Sequence, residues 1–418
     1  MSLKLSDVER TWLNDDTAPG RAMAMRLVVR AAEFLGAERM VPIVSAHIDG
    51  CLYHGDGGVR FVETLRERGA TVSVPSTMNV GALDLGNEER VRADAHFKAM
   101  ARRQMDAYLD LGCQPSWTCA PYQAGHRPGR GEQVAWGESN AVAFVNSVLG
   151  ARTERYGDLL DICCAVAGRA PFVGLHRDEG RRANMILDVT GLSPRLKAMD
   201  ALYPALGAIL GAEAGTSVAV IDGLPTDISE DNLKALGAVA ASKGAVGLFH
   251  VAGRTPEAPD VAAVLSDQLP VEVITITAAD IRAARDSLSN TRAARLDCLA
   301  LGSPHFSEAE TRRLAALAGG RAFQIPVYIC TGRHTMDAID EDGTRAQLEA
   351  QGVEFIVDTC VVVTPILKDL GGVLMTNSGK FAHYATPNTG YDVVFGSLED
   401  CVCSAIAGRV ERADAVWR

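Results

Sequence analysis

The chain has 418 residues, of which 47% are hydrophobic and 22% are charged, and its formal net charge at pH 7 is -11. This length exceeds the usual size of one hydrophobic core, so we expect two or three domains or one unusually large α/β body. The acidic balance argues against binding nucleic acid, and no apolar run approaches the roughly 18 residues of a membrane-spanning helix. The N-terminus turns polar within a few residues, unlike a secretory signal, and we therefore expect a cytoplasmic protein.

The N-terminal half mixes amphipathic helix patterns with long glycine-rich loops. In EERVRADAHFKAMARRQMDAYLDLG the Ala, Met, Leu and Tyr positions recur with helical period. WGESNAVAFVNSVLGA is predicted to be a helix that begins at Glu138, Ser139 and Asn140, where backbone N–H groups suit an anion such as a carboxylate. Helix capping by Ser139 or Asn140 is the alternative interpretation. We assign residues 1–205 to this helix- and loop-rich subdomain.

From about residue 215 the pattern changes to short apolar runs separated by helical segments. The runs are SVAVID, AVGLFHV, VEVITI, LDCLALG, QIPVYIC, VEFIVDTC, GGVLMTN and DVVFGS. Such alternation is typical of a mostly parallel sheet flanked by helices. The predicted fold class is therefore α/β, with the parallel sheet in residues 206–418.

Reactive side chains stand at the ends of several predicted strands. Ser303 and His305 follow LDCLALG, Cys330 closes QIPVYIC, Cys360 closes VEFIVDTC, and Ser378 and Lys380 follow GGVLMT. Ligands of open parallel sheets bind at the carboxyl ends of the strands, so we expect these groups to converge on one crevice. The Ser-Gly-Lys turn lacks the leading glycine of a nucleotide phosphate loop, which argues against ATP binding. Lys380 could instead hold a carboxylate or a phosphate, or act as a base.

Ten cysteines in a chain expected to be cytoplasmic indicate reduced thiols rather than structural disulfides. Most of them are interpreted as small buried hydrophobic residues. If Cys119, Cys330 and Cys360 face one crevice, their soft thiolates favour iron-sulfur chemistry or zinc over magnesium or calcium. A different enzyme class stays open, in which Cys119 or Cys360 is a nucleophile activated by His126 or His305, giving a thiol hydrolase or transferase.

Strings spread over nearly the whole chain resemble the large catalytic portion of the aconitase X family. They are SAHIDG, TCAPYQ, AWGESNAVAFVNSVLGART, GLHRDEGR, LGSPHFS, VDTCVVVTP and NSGKFAHYA, in this order. The resemblance implies an aconitase-like fold, with two or three subdomains around a central cleft, and a hydro-lyase that dehydrates a hydroxy acid at an iron-sulfur centre. The known branches are cis-3-hydroxy-L-proline dehydratases and archaeal mevalonate 5-phosphate dehydratases.

The resemblance also implies which residues bind the metal. It makes Cys119 and Cys360 ligands of the cluster, with Cys330 as the third thiolate and Cys298 as an alternative. This chain has Ser303 where the archaeal branch has a cysteine. The centre is then a [2Fe-2S], [3Fe-4S] or [4Fe-4S] cluster or a mononuclear iron, and the substitution favours the cis-3-hydroxy-L-proline branch.

The remaining site residues are predicted from the same strings and from the strand ends. Lys380, Ser378 and His305 are the predicted catalytic residues. The predicted substrate-binding residues are Ser45, His47, Gly50, Cys51, Asn79, Glu138, Ser139 and Lys380.

The resemblance implies a further partner as well. The family needs a small swivelling domain, fused or supplied as a separate subunit, and the layout here matches the large portion alone. We therefore expect a small-subunit partner that carries part of the active site. The expected function is dehydration of a small hydroxy acid, cis-3-hydroxy-L-proline above all. The alternatives are the large subunit of a mevalonate 5-phosphate dehydratase, a cysteine-nucleophile enzyme, and a subunit that only stabilises a partner.

Overall fold

A computed structural model describes residues 3–267, 270–367 and 371–417. The chain forms two compact units. The first unit comprises Met1–Leu83, Ala93–Arg182 and Thr255–Glu257, and the second comprises Asp84–Arg92, Ala183–Arg254 and Ala258–Arg418. Residues 182 and 183 thus fall in different units, whereas the sequence pattern set the division between residues 205 and 206.

Short strands alternate with helices in the first unit. The helices are α1 (Asp7–Leu13), α2 (Pro19–Phe34), α3 (Asp56–Glu67), α4 (Ala95–Asp110), α5 (Ser139–Phe144) and α6 (Leu160–Ala167), and the strands are β1 (Met40–Pro42), β2 (Ala46–Ile48), β3 (Ser76–Met78), β4 (Ala135–Trp136) and β5 (Arg169–Pro171). β1 and β5 pair antiparallel, and β3, β2 and β4 form a parallel sheet in that order. None of these strands exceeds three residues, which is too short to show an alternating pattern in the sequence.

The two helices predicted in this unit form where the sequence placed them. α4 begins after Asp94, whose side chain accepts a hydrogen bond from the backbone N–H of Phe97 at 2.8 Å. The buried face of α4 includes Gln104 and Tyr108, which are four residues apart and therefore lie on one side of the helix. α5 is only six residues long and continues as a π-helical turn over Val145–Leu149.

The second unit contains the predicted alternation of strands and helices. The strands are β6 (Met185–Asp188), β7 (Ala219–Asp222), β8 (Phe249–Val251), β9 (Glu272–Thr275), β10 (Cys298–Phe306), β11 (Val327–Thr331), β12 (Val353–Val357), β13 (Gly372–Thr376) and β14 (Tyr391–Phe395); the helices are α7 (Pro194–Lys197), α8 (Leu202–Ala214), α9 (Glu230–Lys243), α10 (Ala278–Ser287), α11 (Glu308–Ala318), α12 (Arg333–Glu341), α13 (Thr344–Ala350), α14 (Gly379–Thr389) and α15 (Leu398–Ala407). Each apolar run predicted as a strand overlaps one of these strands. Among the described strands of this unit, the sequence pattern missed only β6.

Two parallel sheets organise the second unit, with strand orders β8-β7-β6-β9 and β12-β11-β10-β13-β14. All nine residues of β10 are buried, as expected for the central strand of a sheet covered on both faces. Leu299, Leu301, Phe306 and Ile329 belong to the apolar core beside this sheet. The prediction of an α/β fold with parallel sheets flanked by helices is confirmed. Among the described residues, no helix combines the length and hydropathy that crossing a membrane requires.

Chain order in the five-stranded sheet reverses at β10. β11 and β12 follow on one side of β10, and the chain then crosses to β13 and β14 on the other side. A reversal of this kind opens a crevice outside the carboxyl ends of the two strands that flank it. The topology therefore places a candidate site after β10 and β13.

Candidate active site

A small cavity lies at the carboxyl ends of β10 and β13, where the reversal of chain order predicts a crevice. It is lined by Lys234, Ala235, Ala238, Gly302, Ser303, Pro304, Phe306, Glu310, Asn377, Ser378, Gly379 and Lys380. The structure thus brings together three of the residues named from the sequence, namely Ser303, Ser378 and Lys380. We call these three, with His305, Cys330 and Cys360, the strand-end site.

Ser378 connects the two strands that flank the cavity. Its hydroxyl donates a hydrogen bond to the backbone carbonyl of Ser303 and accepts one from the backbone N–H of Phe381 at 3.0 Å. The second bond caps the N-terminus of α14, whose orphan N–H groups need such an acceptor. Ser378 therefore fixes the start of α14 against the end of β10.

Close approach of β10 to β11 requires a glycine at position 302. The φ angle of Gly302 is +89°, and a Cβ built there would lie only 2.0 Å from the carbonyl oxygen of Cys330. A side chain at this position would force the two strands apart. The glycine thus lets Ser303 on β10 and Cys330 on β11 sit near each other.

Cys330 and Cys360 form a pair of buried thiols. The two side chains hydrogen-bond to each other, and the backbone N–H of Val361 donates to Sγ of Cys330 at 3.4 Å. The contact with Cys330 lowers the pKa of Cys360, and two backbone N–H groups and the ammonium of Lys380 act in the same direction. Because each of these groups favours the thiolate, Cys360 is suited to bind a metal rather than to fill an apolar core.

The segment that carries Cys360 is held by side chains on both sides of it. Asp358, in the left-handed region with φ of +67°, accepts hydrogen bonds from Nε and Nη2 of Arg333 at 2.7 and 2.8 Å. The hydroxyls of Thr359 and Thr364 lie 2.5 Å apart. These contacts fix the backbone before and after Cys360.

His305 supports the same segment. Its Nε2 lies 3.2 Å from the carbonyl oxygen of Thr359, and because a carbonyl only accepts, Nε2 carries the proton. Burial lowers the pKa of His305 to about 3, so the imidazole is neutral at physiological pH. In this geometry His305 positions the Cys360 segment.

A buried lysine, which the sequence pattern did not single out, anchors the end of β10. Nζ of Lys234 donates to Glu310 at 2.5 Å, to Asp231 at 2.9 Å and to the carbonyl oxygen of His305 at 3.2 Å. Burial acts to lower the pKa of Lys234, but the two carboxylates outweigh it and raise the pKa. Lys234 therefore stays charged and ties α9, α11 and the backbone of β10 together.

The first unit contains a group of four carboxylates, Asp49, Glu138, Asp158 and Asp161, which we call the acidic cluster. The backbone N–H of Asp49 donates to Oδ2 of Asp161 at 2.6 Å, and Nδ2 of Asn79 donates to Oδ1 of Asp49. Burial raises the pKa of Asp49 to about 8, and the other three carboxylates add to this effect. Burial also raises the pKa of Asp161 to about 6. Carboxyl groups perturbed in this way mark candidate functional sites.

The predicted anion site at the start of α5 contains a carboxylate of its own. Glu138 has a φ angle of +63°, and its Oε2 accepts a hydrogen bond from the backbone N–H of Ala141 at 2.8 Å. The hydroxyl of Ser139 donates to Oε1 of Glu138 at 3.4 Å. The helix is therefore capped by Glu138, rather than by Ser139 or Asn140.

Four predicted substrate-binding residues lie in the segment 45–51, which contains β2. Nδ1 of His47 is 2.9 Å from Oγ1 of Thr77, and burial lowers the pKa of His47 well below its usual range. Ser45 accepts a hydrogen bond from Nε1 of Trp136 at 3.4 Å. Sγ of Cys51 donates to the carbonyl of Asn79 at 3.3 Å, and burial raises the pKa of this thiol. Both the imidazole of His47 and the thiol of Cys51 are therefore neutral.

Gly50 completes this group, because it leaves room for the ring of Tyr108. A Cβ built on Gly50 would lie 2.9 Å from Oη of Tyr108.

Cys119 also lies in the first unit and is buried. Nδ2 of Asn140 donates to its carbonyl oxygen at 3.1 Å and to Oη of Tyr122 at 3.2 Å. The stacked rings of Tyr122 and Phe144, with centroids 3.5 Å apart, pack in the same region. The backbone of Cys119 is thus hydrogen-bonded to α5.

The thiols of the second unit can supply some, but not all, of the ligands of an iron-sulfur cluster. Within the described ranges, no group of three or more His, Cys, Asp or Glu side chains is arranged to hold a metal ion. Cys330 and Cys360 nevertheless offer two adjacent soft donors, and backbone N–H groups around a thiolate are typical of iron-sulfur sites. We conclude that this pair fits two ligand positions.

Sequence reasoning missed Asp49, Asp161 and Lys234. Asp49 stands inside the string SAHIDG, so its carboxylate beside other polar residues was a usable signal. Asp161 and Lys234 offer no local signal, because their partners are brought to them only by folding.

Comparison with known proteins identifies the family. Three family models match in succession: the aconitase X first domain over residues 2–179, the second domain over 183–286 and the third domain over 296–407. The crystal structure of Thermococcus kodakaraensis aconitase X (holo-form) superposes with a TM-score of 0.85 at 32% identity, covering 96% of this chain and 100% of that one.

Two curated relatives extend the comparison. The cis-3-hydroxy-L-proline dehydratase of Pseudomonas aeruginosa is 40% identical over 419 residues, which cover 99% of this chain and 72% of the relative. The phosphomevalonate dehydratase large subunit of Methanothermobacter thermautotrophicus is 40% identical over 384 residues, covering 89% of this chain and 91% of the relative.

This protein belongs to the aconitase X family. It is a dehydratase, which is a hydro-lyase. The family and the reaction class expected from the sequence motifs are confirmed.

Proposed function

We propose that this enzyme removes water from cis-3-hydroxy-L-proline. The observation that carries the proposal is the similarity, over 99% of the chain, to a protein with this activity in its name. Ser303 in the strand-end site supports the same branch, because the resemblance to the family implies a cysteine at this position in the archaeal branch. Loss of the hydrogen next to the carboxylate, and of the hydroxyl on the neighbouring carbon, would give a cyclic enamine that tautomerises to a pyrroline carboxylate.

We propose that Cys330 and Cys360 hold an iron or iron-sulfur centre, with Cys119 of the first unit as the third ligand. The support is the lowered pKa of Cys360 and the backbone N–H groups around the pair. When bound, such a centre supplies a Lewis acid for the departing hydroxyl.

Lys380 is proposed to bind the substrate carboxylate. Lys380 is the second residue of α14, an eleven-residue helix. The dipole at the N-terminus of this helix also favours an anion. Negative charge grows on the carboxylate side of the substrate as the neighbouring hydrogen leaves, so a fixed cation there stabilises the transition state more than the ground state. Ser378 and His305 are proposed to keep this cation and the Cys360 segment in place.

In the first unit we propose substrate contacts at the polar residues around β2 and α5. These residues are Ser45, His47, Asn79, Glu138 and Ser139, with Gly50 and Cys51 shaping the surface beside them. The resemblance to the family supports these contacts. The hydrogen bonds of the His47, Ser45, Asn79 and Ser139 side chains described above support them as well.

A small partner of domain size is proposed to complete the active site. One relative is named a large subunit, and this chain covers 91% of its length but only 72% of the cis-3-hydroxy-L-proline dehydratase. We also propose a cytoplasmic location, since all ten cysteines are free thiols and reducing compartments preserve them.

The test begins with anaerobic purification, an absorption spectrum, and iron and sulfide counts. The same sample is then assayed with cis-3-hydroxy-L-proline, alone and with a candidate small subunit. Bound iron together with turnover is the expected result. Full activity without iron, combined with inactivation by iodoacetamide, would instead support a cysteine-nucleophile enzyme.

The second candidate is the large subunit of a phosphomevalonate dehydratase, which the 40% identity to that subunit favours. Mevalonate 5-phosphate in the same assay separates the two candidates. Turnover of this compound, and not of the hydroxyproline, would overturn the proposal.

A further inference from the structure

The acidic cluster concentrates negative charge in a confined space. A Cβ built at Gly137 would lie 2.6 Å from Oδ2 of Asp161 and 2.8 Å from Cβ of Asp49, so only a glycine allows these two carboxylates to approach. Burial and three neighbouring carboxylates raise the pKa of Asp49 to about 8. Such an arrangement is unfavourable by itself and becomes favourable when a cation binds.

The oxygens of the cluster are not equally available to a ligand. Oδ2 of Asp161 accepts from the backbone N–H of Asp49 at 2.6 Å, and Oδ1 accepts from that of Ile162 at 2.7 Å. Oε2 of Glu138 caps α5. Asp158 is exposed, and Asp161 holds the backbone N–H of Asp49, so the carboxylate of Asp49 is the one that lies beside Asn79.

An independent observation points to a ligand with hydrogen-bond donors. Asn79 is 3% exposed, and its Nδ2 faces the cluster by donating to Asp49. Within the described part of the chain, Oδ1 of Asn79 has no hydrogen-bond partner, and neither does the buried Oη of Tyr108. Buried acceptors are almost always paired in native proteins, so a donor is expected beside the amide oxygen.

We propose that Asp49 and Asn79 bind the secondary ammonium group of an amino-acid substrate, with Asp161 as a positioning residue. This inference rests on the proposed function and extends it by naming what recognises the ring nitrogen. A secondary ammonium carries two N–H donors, which match one carboxylate oxygen and one amide oxygen. The described residues offer no set of three ligands for a metal ion here, which favours an ammonium over a metal cation.

The proposal explains a choice between substrates. Mevalonate 5-phosphate has no amine, whereas cis-3-hydroxy-L-proline carries one next to the carboxylate. A ligand without an amine offers Asp49 no cation and leaves the amide oxygen of Asn79 unpaired, so these two residues disfavour it. Asp49 and Asn79 would thus select hydroxy acids that are also amino acids.

Calorimetric titration of the iron-loaded protein tests this directly with two probes. L-Proline carries the ammonium, and tetrahydrofuran-2-carboxylate has an ether oxygen in its place. We expect the wild type to prefer L-proline by about 100-fold, the typical effect of a charged hydrogen-bonded contact. Binding near pH 7 should also release a proton from Asp49, visible as a dependence of the heat on the buffer.

Variants then assign the effect to the residues named. Asp49→Asn should abolish the preference and the proton release, and Asn79→Ala should reduce the preference about 10-fold. Asp106→Asn, which changes an exposed carboxyl on α4 of the same unit, should leave both unchanged.

Two outcomes would overturn the inference: a wild type that binds the two probes equally or binds neither, and an Asp49→Asn protein that keeps the preference. If the Asp49→Asn protein does not fold, Asn79→Ala and the wild-type proton release still decide. Failure of the proposed function looks different, because the preference for L-proline would persist while cis-3-hydroxy-L-proline is not turned over.

Discussion

The backbone N–H of Asp49 donates to Oδ2 of Asp161 at 2.6 Å, although 112 residues separate the two in the chain. This bond holds the first turn after β2 against the start of α6. It also brings one carboxylate beside another, which requires that one of them keep its proton over much of the physiological range.

The first prediction concerns stability and pH. The pKa of Asp49 is about 8 in the folded protein against a usual value of 3.8, so between these values the folded state holds a proton that the unfolded state has lost. Stability should therefore fall as pH rises through this window. Asp49→Asn should make the free energy of unfolding less dependent on pH and raise it by about 1 kcal/mol at the alkaline end of the window. Urea unfolding across the window measures this.

Asp106→Asn is the control for that measurement, because its carboxyl is exposed. A wild-type stability that rises between pH values of about 4 and 8, with no change in Asp49→Asn, would contradict the shifted pKa of Asp49.

A second prediction concerns Gly137. In Gly137→Ala the added methyl group meets Asp161 and the side chain of Asp49 at less than 3 Å, so one carboxylate must move. We expect a loss of about 1–3 kcal/mol in the free energy of unfolding. Gly57→Ala, where nothing lies within 4 Å of the new methyl group, is the matched control and should not destabilise the protein. Equal effects of the two substitutions would argue against the tight packing.

The third prediction concerns metal content. Cys330→Ser replaces the thiol that hydrogen-bonds to Cys360, and we expect iron retention after anaerobic reconstitution to fall at least about 10-fold. Cys403→Ser, at the exposed cysteine of α15, should retain wild-type iron and absorption. Retention of a full iron complement in Cys330→Ser would remove this residue from the proposed ligands.

A fourth prediction concerns the buried lysine. Lys234→Met leaves the carboxylates of Asp231 and Glu310 without their cation, which should destabilise the protein by about 3–5 kcal/mol. Adding Glu310→Gln should recover part of this loss, because it removes one unpaired charge. Thermal unfolding of the single and the double variant measures these changes in stability. Lys243→Met, at the exposed end of α9, is the control. A double variant no more stable than the single one would contradict the charge argument.

The parts of the fold and site that depend on local pattern were predictable. Apolar runs mark the strands of the second unit, and the polar residues after them reach the strand-end site because parallel strands share one edge. Glu138 shows the limit of this approach, since no pattern in WGESN indicates that its carboxylate turns back to cap α5. Lys234 and Glu310, 76 residues apart, are paired only by the packing of α9 against α11 and β10.

The position of β10 at the centre of its sheet also determines when, during synthesis, its two neighbouring strands become available. Cys298 on β10 pairs with Leu374 on β13, so the second neighbour of the central strand is made 76 residues after the strand itself. A nascent chain that ends before Gly372 has β11 and β12 available but leaves one edge of β10 unpaired. Exposed edges of this kind favour association with other chains. The interval between the synthesis of β10 and that of β13 is therefore when this sheet most needs protection from aggregation.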